Sequence, residues 1–287
     1  MILTEIHTSD LTADCLARVE LRHNGRAIGE TPTALYCGNL FHESANLLLT
    51  KGGEIGQCIE DASKIVSAKA AEERRPLTKT VLEKRIGLNA EVMEWLVHFD
   101  HRIRSRYAKI IGVEVPVRMT LVVDGQPQEF ASHVDVLFRD ANGTLSIDDW
   151  KTGEDVPTLE YLVRNMQFGA YAHAAMHGEF LIDNEWTAFD EQAIVNWVHI
   201  RNLTPYTRKT KVAEGDAEKV YERGDVRPLQ RIVFPAPIIS TQAWLDEFAI
   251  RIRMARAGLF PTNPSPAGCF LCESRQWCPS MSQEISQ

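Results

Sequence analysis

The chain has 287 residues, of which 44% are hydrophobic and 24% charged, and its formal net charge is −8. This is the composition of a globular protein, and the negative balance excludes a nonspecific polycation without excluding local basic patches that contact nucleic acid. No segment reaches the roughly 20 consecutive apolar residues of a membrane span, and the first residues lack the pattern of a secretory signal, so we expect a cytoplasmic protein.

The predicted elements suggest a mixed sheet flanked by helices. Periodicity and capping residues predict helices over 8–26, 38–49 and 90–111. Alternating segments joined by short turns then predict three antiparallel strands over 113–123, 128–140 and 144–151. After them come a helix over 157–177, strands over 193–202 and 227–237, and a closing helix over 240–258. The predicted fold class is therefore α/β (α+β).

The third predicted strand ends in SIDDWKTG at 146–153, with two adjacent aspartates and a lysine. Because side chains alternate between the faces of a strand, Asp149 and Lys151 continue the apolar face, whereas Asp148 points away. Asp135 of the preceding strand is expected to lie near Asp149 across the hairpin. Two close carboxylates require a positive group between them, and oxygen ligands suit Mg²⁺ or Mn²⁺. Taken alone, however, Asp-x-Lys is more common as a surface ion pair.

Six cysteines occur, and three of them form CFLCESRQWC near the C-terminus. Clustered thiols in a cytoplasmic protein indicate a metal site rather than disulfides, and thiolates suit either zinc or an iron–sulfur cluster. Cys269, Cys272 and Cys278 supply three ligands, so a fourth must come from elsewhere. Cys15 and Cys37 are the two candidates for it.

Four motifs occur in an order that resembles the PD-(D/E)XK nuclease superfamily, and within it the RecB-like branch. They are GNLFH at 38–42, HVDVLF at 133–138, SIDDWKTG at 146–153 and QFGAY at 167–171. Each motif is weak alone, and their shared order carries the resemblance. His133 stands where the branch commonly has a glycine. The resemblance implies a restriction-endonuclease-like core.

The same resemblance implies a role for each matching residue. The divalent metal ligands would be His42, Asp135, Asp149 and the backbone carbonyl of Trp150, with Glu114 as a further acidic candidate. Lys151 would position or help deprotonate the attacking water. Gln167 and Tyr171 would orient the substrate strand or the lysine. For Asp148, the alternation along the strand rather than the resemblance predicts a structural group or one that supports the site residues.

One early cysteine and three late ones around such a core resemble the CRISPR-associated Cas-four exonucleases. That resemblance implies a [4Fe–4S] cluster held by Cys15, Cys269, Cys272 and Cys278, with zinc as the alternative. Cys15 is favoured over Cys37, which directly precedes the GNLFH helix. The chain would be one nuclease domain over 1–287, with 8–26 and 259–282 joined by the cluster.

The resulting hypothesis is a Mg²⁺- or Mn²⁺-dependent deoxyribonuclease in a bacterial or phage-infected cell. The resemblance favours an exonuclease that degrades single-stranded DNA from 5′ to 3′, in DNA repair or recombination. The basic segments 73–85, 101–109 and 208–211 would track the DNA backbone or simply face solvent. The chain has no G-x4-G-K-[ST] motif, so a helicase, recombination or CRISPR partner would be a separate polypeptide. The alternative is a DNA-binding or adaptor subunit without catalytic activity.

Overall fold

The structure is a computed structural model that describes residues 30–73, 75–153, 156–204, 233–236 and 241–259, together with the backbone of 5–7. The predicted helix 8–26 and nearly all of 259–282 lie outside this part of the chain, and so do Cys15, Cys269, Cys272 and Cys278.

Helices and strands alternate along the described chain. The helices are α1 (Thr33–Lys51), α2 (Ile55–Glu72), α3 (Lys79–Arg102), α4 (Leu159–Val163), α5 (Met166–His177) and α6 (Thr241–Arg256). The strands are β1 (Glu5–His7), β2 (Lys109–Val123), β3 (Gln126–Arg139), β4 (Leu145–Lys151), β5 (Glu179–Ile182), β6 (Glu185–Thr187), β7 (Ile194–His199) and β8 (Val233–Pro235).

The strands form one mixed sheet in the order β6-β5-β2-β3-β4-β7-β8, and β1 pairs with β3. β2, β3 and β4 are successive antiparallel neighbours, as the sequence predicts. β4 and β7 run parallel, because the chain crosses over through α4 and α5 between them. This arrangement confirms the mixed α/β class and is consistent with a PD-(D/E)XK fold.

Two buried layers cover the sheet. Helices α1, α2 and α3 pack on one face, where Val136, Phe138 and Trp150 are buried with them. Helices α5 and α6 pack on the other face, over Leu137 and Ile147. The opposite placement of neighbouring residues follows from the period of two along a strand. The end of β4 therefore lies between two helical layers.

Several predicted boundaries are wrong, each for a local reason. The predicted helix 90–111 begins earlier, at Lys79, and ends at Arg102, because Lys109 and the residues after it pair with β3. The predicted helix 157–177 is two helices, since the side chain of Asn165 accepts a hydrogen bond from the Phe168 amide and begins a new one. Helix α2 and the hairpin of β5 and β6 are additional to the prediction.

None of the helices in the described ranges combines the length and the apolar character that a membrane crossing requires.

Candidate metal and phosphodiester site

Helix α1 delivers His42 to the end of β4. The imidazole Nε2 lies 3.2 Å from the Trp150 carbonyl oxygen, and Nδ1 lies 3.3 Å from Glu114 Oε1 and 3.4 Å from Asp135 Oδ1. One turn earlier, a Cβ on Gly38 would lie 3.1 Å from the Thr152 hydroxyl. The absence of a side chain at this glycine lets α1 approach β4 closely enough for the histidine to reach it.

A bulge in β2 determines which residue faces Asp135. The pairing of β2 with β3 shifts by one residue just before Gly112, and beyond that shift Glu114 lies opposite Asp135. Without the extra residue, a valine would lie there. A Cβ on Gly112 would be 2.5 Å from a methyl group of Val115, so any larger residue at the bulge would displace Val115. Glu114 itself has φ of 50°, an uncommon backbone conformation that often occurs at functional sites.

The alternation of β3 is interrupted at this position. Val136 packs against the α1–α3 layer, but Val134 packs in the α5–α6 layer, although the two would share a face in a regular strand. The interruption falls at Asp135, opposite the unusual backbone of Glu114, and the two acidic side chains meet at this irregularity.

His42, Glu114 and Asp135 form a donor set that fits a hard divalent cation. Their ligand atoms all lie within 4.8 Å of one another. Two carboxylates, an imidazole and the adjacent Trp150 carbonyl oxygen are ligands that Mg²⁺ or Mn²⁺ accepts. Burial opposes protonation of His42, but Asp135 and Glu114 outweigh it and raise its pKa to about 10. The histidine therefore carries a positive charge among these carboxylates.

Asp149 and Lys151 form a separate ion pair beside this donor set. The Lys151 ammonium lies 2.6 Å from Asp149 Oδ2, and the carboxylate is 1% exposed. Burial raises the pKa of Asp149 to about 6, with Asp135 adding to the rise and Lys151 opposing it. Burial acts against the ammonium, but Asp149 and Asp135 raise the pKa of Lys151 above its ordinary value. Lys151 is therefore a cation at neutral pH.

A directed chain of hydrogen bonds holds Lys151. Its ammonium donates to Gln167 Oε1 at 3.0 Å, and Gln167 Nε2 donates to the Tyr171 hydroxyl at 2.6 Å. Tyr171 then donates to the His133 carbonyl oxygen at 2.7 Å. Tyr171 is buried, so between the two roles predicted for it the structure favours orienting the lysine rather than the substrate.

The two groups are joined by one backbone contact. The Trp150 amide donates to Asp135 Oδ2 at 2.5 Å, so Asp135 bridges from β3 to β4. The sheet pairing between these strands ends at Val136 and Asp148, and this bond continues the connection beyond it. All the predicted site residues in the described chain thus meet at the end of β4. Asp149 is not among the three residues of the donor set, and its ligand role stays a prediction.

Asp148 belongs to a buried network on the opposite face that the sequence did not reveal. Arg106 Nη1 donates to Asp148 Oδ2 at 2.6 Å, Tyr107 Oη to the same oxygen at 3.1 Å, and Asn196 Nδ2 to Oδ1 at 2.9 Å. Trp150 Nε1 donates to the Tyr107 hydroxyl at 3.3 Å. The network agrees with a structural role for Asp148. The network includes Trp150, whose backbone carbonyl oxygen contacts His42.

The structure describes two of the six cysteines, Cys37 and Cys58. Cys37 is buried in the α1–α3 layer, and burial raises the pKa of its thiol to about 11. Cys58 is also a buried free thiol.

Comparison with known proteins identifies a family. A family model described as the PD-(D/E)XK nuclease superfamily matches residues 10–279. No curated protein matches the chain. One solved structure, described as "Crystal structure of SSO0001", has a TM-score of 0.43 and 14% sequence identity. The similarity covers 98% of this chain and 88% of the chain in that structure. A similarity of that size supports no conclusion about function.

Proposed function

The chain belongs to the PD-(D/E)XK nuclease superfamily, and from that premise we propose that it is a metal-dependent nuclease that hydrolyses phosphodiester bonds in DNA. Members of this superfamily are hydrolases that act on DNA. The observation that carries the proposal is the Asp149–Lys151 ion pair, 2.6 Å apart and next to the three-residue donor set.

Each residue of the site has a distinct part in this proposal. His42, Glu114, Asp135 and the Trp150 carbonyl would hold the cation, and Asp149 would join them when its pairing with Lys151 loosens. A bound Mg²⁺ or Mn²⁺ supplies an acidic water and neutralises charge on the phosphate.

Lys151 acts as a donor in this scheme. Its raised pKa keeps it an ammonium, which donates hydrogen bonds to the attacking water or to a phosphate oxygen that gains charge. The Gln167–Tyr171 chain fixes the direction in which that ammonium points. Positioning the water and helping to deprotonate it both stay proposed roles of Lys151.

The finer parts of the proposal rest on the sequence motifs. We propose that the chain is a RecB-like, Cas-four-type exonuclease that degrades single-stranded DNA from 5′ to 3′. A [4Fe–4S] cluster at Cys15, Cys269, Cys272 and Cys278 would join segments 8–26 and 259–282 to a single nuclease domain. Cys15 is proposed over Cys37 as the fourth ligand, because Cys37 lies on the helix that carries His42 to the divalent metal site. A separate helicase, recombination or CRISPR protein would act with it in the cytoplasm.

The test is degradation of end-labelled single-stranded DNA with Mg²⁺ or Mn²⁺. Asp149→Ala and Lys151→Ala should each lower the rate at least ~100-fold, the scale reported for loss of one preorganised electrostatic group. Asp148→Asn is the matched control: it changes the neighbouring aspartate on the opposite face and should cost far less. Equal rates for the wild type, Asp149→Ala and Lys151→Ala would refute the catalytic assignment.

The substrate ends and the alternative function are tested in the same assay. Labels at the 5′ and the 3′ end, compared on linear and circular strands, separate the polarities and distinguish exonuclease from endonuclease activity. DNA binding without turnover in either metal would favour the non-catalytic DNA-binding or adaptor subunit.

The cluster is tested on anaerobically purified protein. Iron and sulfide should be present in the wild type and fall in Cys272→Ser, whereas Cys58→Ser should retain both. Zinc without iron in the wild type would contradict the iron–sulfur proposal.

A further inference from the structure

Beyond Lys151, the chain presents large apolar side chains to solvent within a few residues. Val156 is 46% exposed, Leu159 is 64% exposed and Tyr161 is 51% exposed. The first precedes α4 and the other two belong to it. Single exposed apolar residues are ordinary, but a group of them beside a candidate active site indicates a contact surface.

Tyr161 is held in a defined position. Its backbone amide donates to the Thr158 hydroxyl at 3.2 Å, which caps α4, and the next residue, Leu162, is buried in the core. Its ring packs edge-on against Trp197, with the ring centroids 5.7 Å apart and the planes at 82°. The ring is therefore anchored by its neighbours while half of the residue stays accessible.

Trp197 places this ring next to the reactive groups. In the parallel pairing of β4 with β7, Trp197 is the direct partner of Asp149. The Lys151 ammonium lies 5.8 Å from the centroid of the same indole ring. Tyr161 and Lys151 thus contact one aromatic side chain, and a nucleotide whose phosphate lies at Lys151 has its base within reach of Tyr161.

The charge around Tyr161 does not oppose a nucleic acid. Glu160 is the adjacent acidic residue, and it pairs with Arg164 at 3.5 Å one turn along α4. On the other side of the indole, the Lys151 cation is paired with Asp149 at 2.6 Å.

We propose that Tyr161 is a stacking site for an unpaired nucleobase adjacent to the scissile phosphate. This rests on the proposed nuclease function and adds a selectivity residue to it. Every base has an aromatic face, so stacking on Tyr161 is independent of sequence, whereas the bases of a duplex already stack on one another. Tyr161 therefore selects single-stranded DNA.

The test is equilibrium binding of fluorescein-labelled oligothymidylate in EDTA, where no cleavage occurs, followed by fluorescence anisotropy. Tyr161→Ala should raise Kd by about tenfold or more, the usual scale for removing one stacked base contact. Tyr161→Phe keeps the ring and should bind as the wild type does. An abasic strand of equal length should bind all three proteins equally.

Two results would overturn the proposal. One is equal oligothymidylate binding by Tyr161→Ala and Tyr161→Phe. The other is a loss of affinity of Tyr161→Ala for the abasic strand as large as its loss for oligothymidylate. A change of oligomeric state in Tyr161→Ala without a change in binding would instead make the surface a protein contact. Because binding is measured without metal, failure of the nuclease proposal would be seen separately, as the absence of cleavage when Mg²⁺ or Mn²⁺ is added.

Discussion

Replacing Asp149 by asparagine should stabilise the protein while it removes activity. Asp149 is 1% exposed, and burial raises its pKa from 3.8 to about 6. The folded state therefore binds a proton more tightly than the unfolded state, and ionised Asp149 costs the folded state about 3 kcal/mol above pH 6, at roughly 1.4 kcal/mol for each pH unit. Asparagine has the same shape without that charge, so Asp149→Asn should unfold at a higher urea concentration at pH 8.

The pH dependence gives the sharper test of the same reasoning. As pH falls from 8 to 5, the wild type takes up a proton at Asp149, and its free energy of unfolding should rise by on the order of 1 kcal/mol relative to Asp149→Asn. The gain in stability ends as the pH approaches 3.8, which is the ordinary pKa of an aspartate in the unfolded chain. Titrating groups that do not interact with Asp149 cancel in the difference between the two proteins.

The assay is urea unfolding of both proteins in EDTA at several pH values between 5 and 8, followed by circular dichroism. A variant that is less stable than the wild type at pH 8, or a difference that stays constant with pH, would show that the buried carboxylate does not carry this cost.

Three further outcomes are expected from the same geometry. The pKa of His42 is about 10, so a metal that binds its imidazole must displace a proton. The Mn²⁺ affinity measured by calorimetry should therefore rise about tenfold per pH unit from pH 6.5 to 8.5, and His42→Ala should reduce this pH dependence. Gly112→Ala should disturb the bulge and move Glu114, weakening Mn²⁺ binding by roughly 10- to 100-fold, the range seen when a ligand loses its support. Gly38→Ala should lower the free energy of unfolding of the wild type, because the new methyl group crowds the Thr152 hydroxyl. In a Thr152→Ala background that hydroxyl is absent, so the helix preference of alanine should raise the free energy of unfolding by about 0.5–1 kcal/mol. Equal effects of Gly38→Ala in both backgrounds would show that the two residues do not interact.

Local sequence patterns predict much of the site. Turn residues fix the hairpins, and the period of two places Asp149 and Lys151 together with Asp148 on the opposite face. The sequence could not reveal that Arg106 and Tyr107 turn inward to Asp148, because a run of basic residues also describes a solvated surface and the partner is 42 residues away. The bulge that aims Glu114 was equally hidden, since it depends on the pairing of two strands.

One missed element did carry a sequence signal. The segment EFLIDNEWT folds as the hairpin of β5 and β6, and Asp183 and Asn184 at its turn both have positive φ, 50° and 67°. Asp and Asn are the residues that accept this conformation most readily, and a two-residue turn of this kind favours a tight hairpin. Helix α2 also carried a signal, because its buried residues Cys58, Ile59, Ala62, Val66 and Ala70 recur at helical spacing.

The connectivity of the sheet has a consequence for how the protein folds. β2, β3 and β4 are consecutive and need only short loops to pair, whereas His42 reaches the Trp150 carbonyl across 108 residues. Because long loops close at a greater entropic cost, we expect the central hairpins to form early and the docking of α1 to come late. Pulse-labelled hydrogen exchange should then protect amides of β3 before those of α1. The donor set would be complete only in the finished fold, so a partly folded chain emerging from the ribosome could not cut DNA.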